Sequence, residues 1–147
     1  GPLNAVLNVS TTGTDSDFVV KLVDVFPDDA PDLENSPAGW RAGGYQMLVR
    51  GETIRGKYRG NRWSAPVAFT PGKVEEVAFT LPDVLHTFKK GHRLMVQVQC
   101  SWFPLVDRNP QVFTDIPNAQ PEQFRKATQR IYRSAAKRSR IEVLELK

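Results

Sequence analysis

Three residue types that often act in catalysis lie close together in this chain, in the order His92, Cys100 and Asp107. The order suggests a thiol nucleophile with a histidine base and an orienting carboxylate. Residues 92–102, however, alternate apolar and polar side chains, which predicts a half-buried β-strand. A strand advances by about 3.3 Å per residue, so His92 and Cys100 are expected about 26 Å apart, whereas a base must approach its nucleophile to about 3 Å. The pair is therefore not catalytic, and Cys100 is predicted to be a small core residue among valines.

Motifs of other enzymes and cofactor sites do not occur in the sequence. It has no Gly-x-Ser-x-Gly elbow, no phosphate-binding loop, no Gly-x-Gly-x-x-Gly and no His-Glu-x-x-His. His86 and His92 are expected to be surface or packing histidines, and two histidines with one cysteine show no zinc-binding spacing. We expect no cofactor and no metal.

Two charged segments suggest ion or nucleic-acid binding, and each has a simpler interpretation. Asp15 and Asp17, with three aspartates of the next loop, offer the oxygen ligands that calcium takes, but Asp at a strand entrance more often caps a turn. The segment 126–140 contributes much of the formal net charge of +4, but arginines between apolar residues are typical of a solvated strand face, and no recognition motif accompanies them. We expect no nucleic-acid partner. The loop aspartates are Asp28, Asp29 and Asp32, and the basic residues are Lys126, Arg130, Arg133, Lys137, Arg138 and Arg140.

Length and composition favour one domain built from many short strands. A chain of 147 residues with 40% hydrophobic and 24% charged residues is long enough to bury one core. No apolar run approaches the roughly 20 residues of a membrane span, so no membrane partner is expected. The 11 prolines and 10 glycines divide the chain into short pieces.

Alternating segments bounded by turn residues predict seven to nine strands. Asp83 and Gly91 bound one helical turn between two of them. Residues 121–138 fit either an amphipathic helix or a strand after a short helical turn, and the β-branched residues favour the strand. The whole pattern predicts an all-β protein, an antiparallel β-sandwich of jelly-roll type with one or two short helical turns. The predicted strands cover residues 4–10, 18–26, 71–82, 92–102, 127–134 and 140–146, with two more on either side of Gly51.

The stretch "SWFPLVDRNPQ" is the strongest candidate for a binding surface. Trp102, Phe103 and Pro104 place apolar area at a strand end beside a charged turn, and such a polar-rimmed aromatic patch often marks a docking surface. Asp107 and Arg108 are expected to hold backbone groups or a partner. A second, compatible interpretation is that Trp102 closes the bottom of the core.

A family resemblance rests on several blocks in a fixed order. "GTDSDFVVKLVDVFPDD", "GGYQMLVRGETIRGKYR", "FTPGKVEEVAFTLPDVLHTFKKGHRLMVQVQCSWFPLVDRNPQ" and "ATQRIYRS" together resemble the C-terminal domain of the α-amino acid ester hydrolases and cephalosporin acylases, which group with cocaine esterase and the X-prolyl dipeptidyl peptidases. The resemblance covers residues 7–146. Its most diagnostic parts are "FKKGHRL" and "FPLVDRNP".

The resemblance implies a division of labour. Such proteins have an α/β-hydrolase core with a Ser-Asp-His triad, a helical cap, and a C-terminal jelly roll like galactose-binding folds. Residues 1–147 match only the jelly roll, as a single non-catalytic domain, and no residue maps to the triad. The implied partner is the catalytic α/β-hydrolase domain of the same polypeptide. The residues expected to support docking are Phe88, His92, Trp102, Phe103, Pro104, Asp107, Arg108 and Asn109.

The resemblance has consequences for assembly and location as well. It implies a further strand ahead of Gly1, and hence an open sheet edge that another copy or the catalytic part would fill, which makes a homo-oligomer possible. Parents of this kind are often exported or periplasmic. The alternative function is a carbohydrate- or other ligand-binding jelly-roll module, with ring stacking by Trp40, Tyr45, Tyr58 and Trp63.

Overall fold

The chain folds as an antiparallel β-sandwich in a computed structural model that describes residues 1–61, 63 and 65–145. The all-β class and the jelly-roll architecture are confirmed. No helix among these residues is long and apolar enough to cross a membrane. The strands are β1 (Leu3–Thr11), β2 (Asp17–Val25), β3 (Gln46–Arg55), β4 (Glu75–Leu81), β5 (Arg93–Gln99), β6 (Gln129–Ile131), β7 (Arg133–Ser134), β8 (Lys137–Arg138) and β9 (Arg140–Glu142), and single 3-10 turns cover Gly56–Tyr58, Ile116–Asn118 and Pro121–Gln123.

Two sheets share the strands, and the chain crosses between them repeatedly. The first sheet has the order β4-β1-β6, and β9 also pairs with β1 beyond the end of β6. The second sheet has the order β3-β2-β5, and β7 and β8 form a small separate ladder. Because successive strands such as β1 and β2, or β4 and β5, belong to different sheets, the connections run over the ends of the sandwich, as in a jelly roll.

The core lies between the central strands β1 and β2. Alternate residues of β1 face alternate residues of β2, and the inward set is almost fully buried because each strand is flanked on both sides. The inward orientation of Val77, Phe79 and Leu81 on β4, expected from alternation, is confirmed by their exposed fractions of 0–7%. Phe69 closes the core edge-on against Phe18, with ring centroids 6.2 Å apart.

The prediction of two strands about Gly51 is wrong. Residues 46–55 form one continuous strand, in which a bulge shifts the register between Leu22 and Val23 of β2. Gly51 sits inside the strand because Trp102 lies directly over it: a Cβ at this position would be 2.7 Å from the indole ring. The glycine thus makes room for an aromatic ring and does not mark a turn.

The helical turn predicted after Asp83 is also wrong, whereas the interpretation of 121–138 is confirmed. Residues 82–91 carry no helix; they cross in extended form from β4 of one sheet to β5 of the other, ending in a turn at Gly91 with φ of 87°. Residues 121–138 contain the expected single helical turn followed by strand β6.

One long side of the sandwich is poorly covered. Strand β5 has the predicted alternation, but Leu94 and Val96 on its inward set are 57% and 39% exposed. Cys100, predicted to be a core residue, is exposed. The reason is that β5 is an edge strand that ends at Gln99, so Cys100 has left the ladder and lies beyond the paired part of the sheet.

Filling the space at Gly51 tests how the aromatic ring is seated. We expect Gly51→Ala to lower the free energy of unfolding by about 1–3 kcal/mol, since the added methyl overlaps the Trp102 ring and displaces it from its contact with the sheet. The measurement is urea unfolding followed by tryptophan fluorescence. Gly60→Ala is the control, because a Cβ at Gly60 meets nothing within 4 Å. Equal effects of the two substitutions would contradict the close approach.

Candidate functional site

The candidate docking loop, residues 102–109, leaves β5 and is held at both ends. At its start, Trp102 packs on the face of the second sheet that points away from the core, over Gly51 and beneath the Lys21 ammonium, which lies 4.2 Å from the ring centroid. The interpretation that Trp102 closes the bottom of the core is therefore wrong. The prediction assumed that the strand alternation continues as far as Trp102, but β5 ends at Gln99.

At the other end of the loop, Asn109 is 6% exposed and joins it to β2. Its side-chain amide donates to Asp17 Oδ1 at 2.8 Å, and its Oδ1 accepts from the backbone N–H of Gln111 at 2.8 Å. The chain beyond it lies against the turn before β2: a Cβ at Gly13 would be 2.3 Å from the Gln111 carbonyl oxygen. Asn109 thus fixes the loop end by two hydrogen bonds, of which the one to Asp17 is buried.

A third connection runs through Arg55, at the end of β3. Its guanidinium donates to Asp17 Oδ2 at 3.3 Å and to Asp107 Oδ1 at 2.9 Å. Asp17 is almost fully buried, whereas the Asp107 side chain is 57% exposed, so the guanidinium bridges a buried and an exposed carboxylate. Nearby, Lys57 is 8% exposed and donates to the Thr114 carbonyl oxygen at 2.9 Å. Arg55 and Lys57 thus bind the loops to the sandwich.

Burial changes the acidity of the carboxyl groups at the start of β2. Loss of hydration raises the pKa of Asp17 to about 6, even though the hydrogen bond from Asn109 and the charge of Arg55 lower it. Burial likewise raises the pKa of Asp15, against the hydrogen bond from Asn109. Asp15 Oδ1 accepts from the backbone N–H of the next residue, Ser16, at 2.9 Å.

The middle of the loop is exposed and apolar. Phe103 and Leu105 are 64% and 70% exposed, although Trp102 and Asn109 on either side are held in place. The Arg108 guanidinium lies 5.6 Å from the Phe103 ring centroid and 5.7 Å from that of Phe124. We call Phe103, Leu105, Arg108 and Phe124 the aromatic patch.

The histidines belong to a different cluster, at the opposite end of β2. Asp24 is 1% exposed, and its two oxygens contact His92 Nδ1 at 2.8 Å and His86 Nε2 at 2.9 Å. Burial raises the pKa of Asp24, but the hydrogen bonds from His86 and His92 outweigh it, so the net pKa is below its ordinary value. Phe88 packs edge-on against His86, with ring centroids 4.8 Å apart. The structure thus places Phe88 and His92 with the core and brings neither into contact with the aromatic patch among the described residues.

The remaining candidate residues do not converge on one site. The five aspartates considered for calcium divide between the start of β2 and the 27–44 loop, where Asp28 pairs with Arg93 and Asp32 with Arg41. Of the four aromatic residues considered for sugar stacking, Trp40 and Tyr45 come together, with centroids 5.5 Å apart and planes 55° apart. Trp63 is 94% exposed.

Sequence reasoning missed Arg59, which organises the loop between β3 and β4. It binds Glu75 through two hydrogen bonds of 2.6 and 2.9 Å, donates to three backbone carbonyls, and lies 4.0 Å from the Phe69 ring centroid. No local pattern identifies this role, because Glu75 is 16 residues away and the carbonyls belong to the 3-10 turn at Gly56 and to the loop at Val67 and Ala68.

Comparison with known proteins places this arrangement in a family. Residues 1–142 match the family of X-Pro dipeptidyl-peptidase C-terminal non-catalytic domains. The chain belongs to this family.

Three relatives carry the same domain within longer proteins. The cocaine esterase of Rhodococcus sp. (strain MB1 Bresler) is 34% identical over 141 residues, which are 96% of this chain and 22% of that protein. An aminopeptidase structure from the marine sediment archaeon Thaumarchaeota archaeon is 46% identical with a TM-score of 0.86, and a selenomethionine-labelled α-amino acid ester hydrolase is 44% identical with a TM-score of 0.86. Each alignment covers 96% of this chain and 22% of the relative, so the chain spans about a fifth of their length.

Removing the Asn109 amide tests the attachment of the docking loop. We expect Asn109→Ala to lower the free energy of unfolding by about 2–3 kcal/mol, because it leaves a buried carboxylate oxygen and a backbone N–H without partners. Asn35→Ala, at an exposed loop position, should change it by less than about 0.5 kcal/mol. Chemical denaturation of both variants gives the comparison. An Asn109→Ala variant as stable as the wild type would contradict this role.

The pKa of Asp17 predicts a pH dependence of stability. Its folded-state pKa of about 6 lies above the ordinary 3.8, so its contribution to stability is complete below pH 3.8 and is lost as the pH rises through 6. This difference corresponds to about 3 kcal/mol. Asp17→Asn does not titrate, so its free energy of unfolding should gain about that much relative to the wild type between pH 4 and pH 7. Denaturant titrations across this range measure the difference; a constant difference would refute the assignment.

Proposed function

We propose that this chain is the C-terminal non-catalytic domain of a serine hydrolase that acts on ester or amide bonds of amino acids or peptides. It packs on the α/β-hydrolase core of the same polypeptide, helps to shape the active-site entrance and supports oligomer contacts. The relatives support the hydrolase part of the proposal: two are named as ester hydrolases and one as an aminopeptidase. The serine nucleophile rests on the family resemblance of the sequence blocks.

The aromatic patch is the observation that supports docking through residues 102–109. Phe103 and Leu105 project from a loop whose two ends are fixed, so covering them costs little conformational entropy. Exposed aromatic side chains with an adjacent arginine have the composition of interface hot spots. Arg108 keeps Phe103 and Phe124 on one surface through its contacts with both rings.

A rigid loop of this kind suits a partner with a preformed surface. Trp102 is seated on the sheet and Asn109 on β2, so the exposed middle cannot move far from the sandwich. A hydrolase core that packs against the loop therefore receives a fixed support, which is the property needed to hold an active-site wall in place.

The carbohydrate-binding alternative receives less support from the geometry. Stacking on a sugar needs aromatic faces presented together, and Trp40 and Tyr45 are tilted by 55° to each other. Tyr45 also packs edge-on against Phe26, with centroids 5.7 Å apart, which gives it a structural role. Calorimetric titration with oligosaccharides separates the two functions, since a docking domain gives no saturable heat.

The isolated chain should hydrolyse nothing. We expect no turnover of p-nitrophenyl acetate beyond that of buffer containing an equal concentration of free histidine. The reason is that His86 and His92 both contact Asp24, and neither contacts a hydroxyl or thiol among the described residues. The measurement is absorbance of released nitrophenolate. Turnover abolished by a serine-directed inhibitor would overturn the non-catalytic assignment.

Two leucines of equal exposure provide a matched test of docking. In the polypeptide that carries the hydrolase portion, Leu105→Ser should shorten the half-life of activity at elevated temperature several-fold, because it removes apolar area from the proposed interface. Leu33→Ser is the control, since Leu33 is also 70% exposed but lies in the 27–44 loop. In the isolated chain both substitutions should change the free energy of unfolding by less than about 0.5 kcal/mol. Equal half-lives of the two full-length variants would refute docking through this loop.

A further inference from the structure

Two buried carboxyl groups lie at the start of β2, where the end of the candidate docking loop is attached. Asp15 is 0% exposed and Asp17 is 2% exposed, and Asn109 joins the loop end to Asp17. We call Asp15 and Asp17 the carboxyl pair, and residues 109–114 the adjoining segment. The state of the pair and the position of the segment therefore depend on each other.

The adjoining segment is attached to the turn before β2 by several polar contacts. The Phe113 N–H donates to Thr14 Oγ1 at 2.8 Å, and the Thr14 N–H donates to the Gln111 carbonyl oxygen at 3.1 Å. Lys57 donates to the Thr114 carbonyl oxygen at 2.9 Å. Gln111 has φ of 64°, in the left-handed region that is strained for a residue with a Cβ. Opening of the segment releases this strain, so it is a natural place for the fold to open locally.

The carboxyl pair lacks the hydrogen bonds that stabilise the other buried carboxylate of β2. Asp15 Oδ1 accepts from the Ser16 N–H, but Asp15 Oδ2 is buried without a hydrogen-bond partner among the described residues. Asp24 is equally buried, yet both its oxygens contact histidine nitrogens. Burial acts on both groups; the histidine hydrogen bonds outweigh it and lower the pKa of Asp24, whereas the pKa of Asp15 is raised. A buried oxygen without a donor thus favours the neutral acid.

Positive charge compensates the pair only in part. Arg55 lies 3.3 Å from Asp17 but 2.9 Å from the exposed Asp107, so its closer carboxylate is outside the pair. Lys57 lowers the pKa of Asp15 but already donates to a carbonyl oxygen of the adjoining segment. The negative charge of Asp15 in turn raises the pKa of Asp17, as does that of Asp107. Ionising both members therefore places two poorly compensated charges in a site without water contact.

We propose that the carboxyl pair is a proton-dependent latch on the candidate docking loop. While the pair holds a proton, Asn109 and the adjoining segment stay on β2. When both carboxyls ionise, the segment opens, water reaches the pair and the rest of the sandwich stays folded.

The direction of the pH dependence follows from the two raised pKa values. The contribution of the pair to attachment is complete below the ordinary pKa of 3.8 and is lost as the pH rises through about 6, the folded-state pKa of Asp17. The consequence for docking rests on the proposed function: a loop with one free end holds a hydrolase core less firmly than a loop fixed at both ends.

Titration of the side-chain carboxyl carbons by NMR tests the pair directly. In this chain we expect Asp17 to titrate near pH 6, Asp15 above 3.8 and Asp24, as the internal control, below 3.8. Asp15→Asn should move the Asp17 midpoint to lower pH, because it removes the negative charge that raises it. Midpoints of Asp15 and Asp17 at or below 3.8 would overturn the proposal.

Amide hydrogen exchange tests the opening itself. After correction for the intrinsic exchange rate, protection of the Gln111 N–H should fall about a hundredfold between pH 4 and pH 8, as the two-unit shift of Asp17 requires. The Tyr45 N–H, which donates to the Ala42 carbonyl oxygen in the 27–44 loop, is the control and should keep its protection. Asp17→Asn should remove most of the fall at Gln111. If that variant does not fold, the Asp15→Asn titration still decides.

The latch and docking fail in different experiments. An equal change of protection at Gln111 and Tyr45 would show that the whole fold opens, which refutes the latch and leaves the comparison of Leu105→Ser with Leu33→Ser to decide docking. Equal half-lives of those two variants would refute docking through the loop, and the carboxyl titration would still establish the latch.

Discussion

The buried carboxylate of Asp17 is the contact on which the loop architecture of this domain depends. It receives one hydrogen bond from Asn109 and one from Arg55, so a single side chain at the start of β2 joins the loop after β5 to the end of β3. A buried carboxylate without these partners would be strongly destabilising. The loop after β5 and the end of β3 are therefore both held against β2 through this one side chain.

A second buried carboxylate with two side-chain partners lies at the other end of β2. Asp24 is as deeply buried as Asp17 and holds His86 and His92, so it fixes the crossover between β4 and β5. The two most diagnostic sequence blocks thus have one physical explanation. "FKKGHRL" supplies His92, which meets Asp24 together with His86 two positions ahead of the block, and "FPLVDRNP" supplies the asparagine that meets Asp17. Both blocks bind buried carboxylates of one central strand, and neither supplies a reacting group.

The sequence allowed the strands to be predicted well where alternation and burial coincide. Strand β4 is an example, because Val77, Phe79 and Leu81 are both alternate and covered. Prediction failed where contact with a residue distant in the sequence determines the local structure. Gly51 resembled a turn, but its role depends on Trp102, 51 positions later. Cys100 resembled a core residue because alternation predicts the face of a strand and does not predict whether a second layer covers that face.

The candidate site shows the same limit. The apolar residues of the loop after β5 were visible in the sequence, since Phe103 follows a tryptophan and precedes a proline and a charged turn. The sequence did not show which of these residues would be anchors and which would be exposed, because Asn109 and its hydrogen-bond partner Asp17 are 92 residues apart. The same holds for Arg55, Lys57 and Arg59, because the carboxylates and carbonyls that they bind belong to segments distant in the sequence.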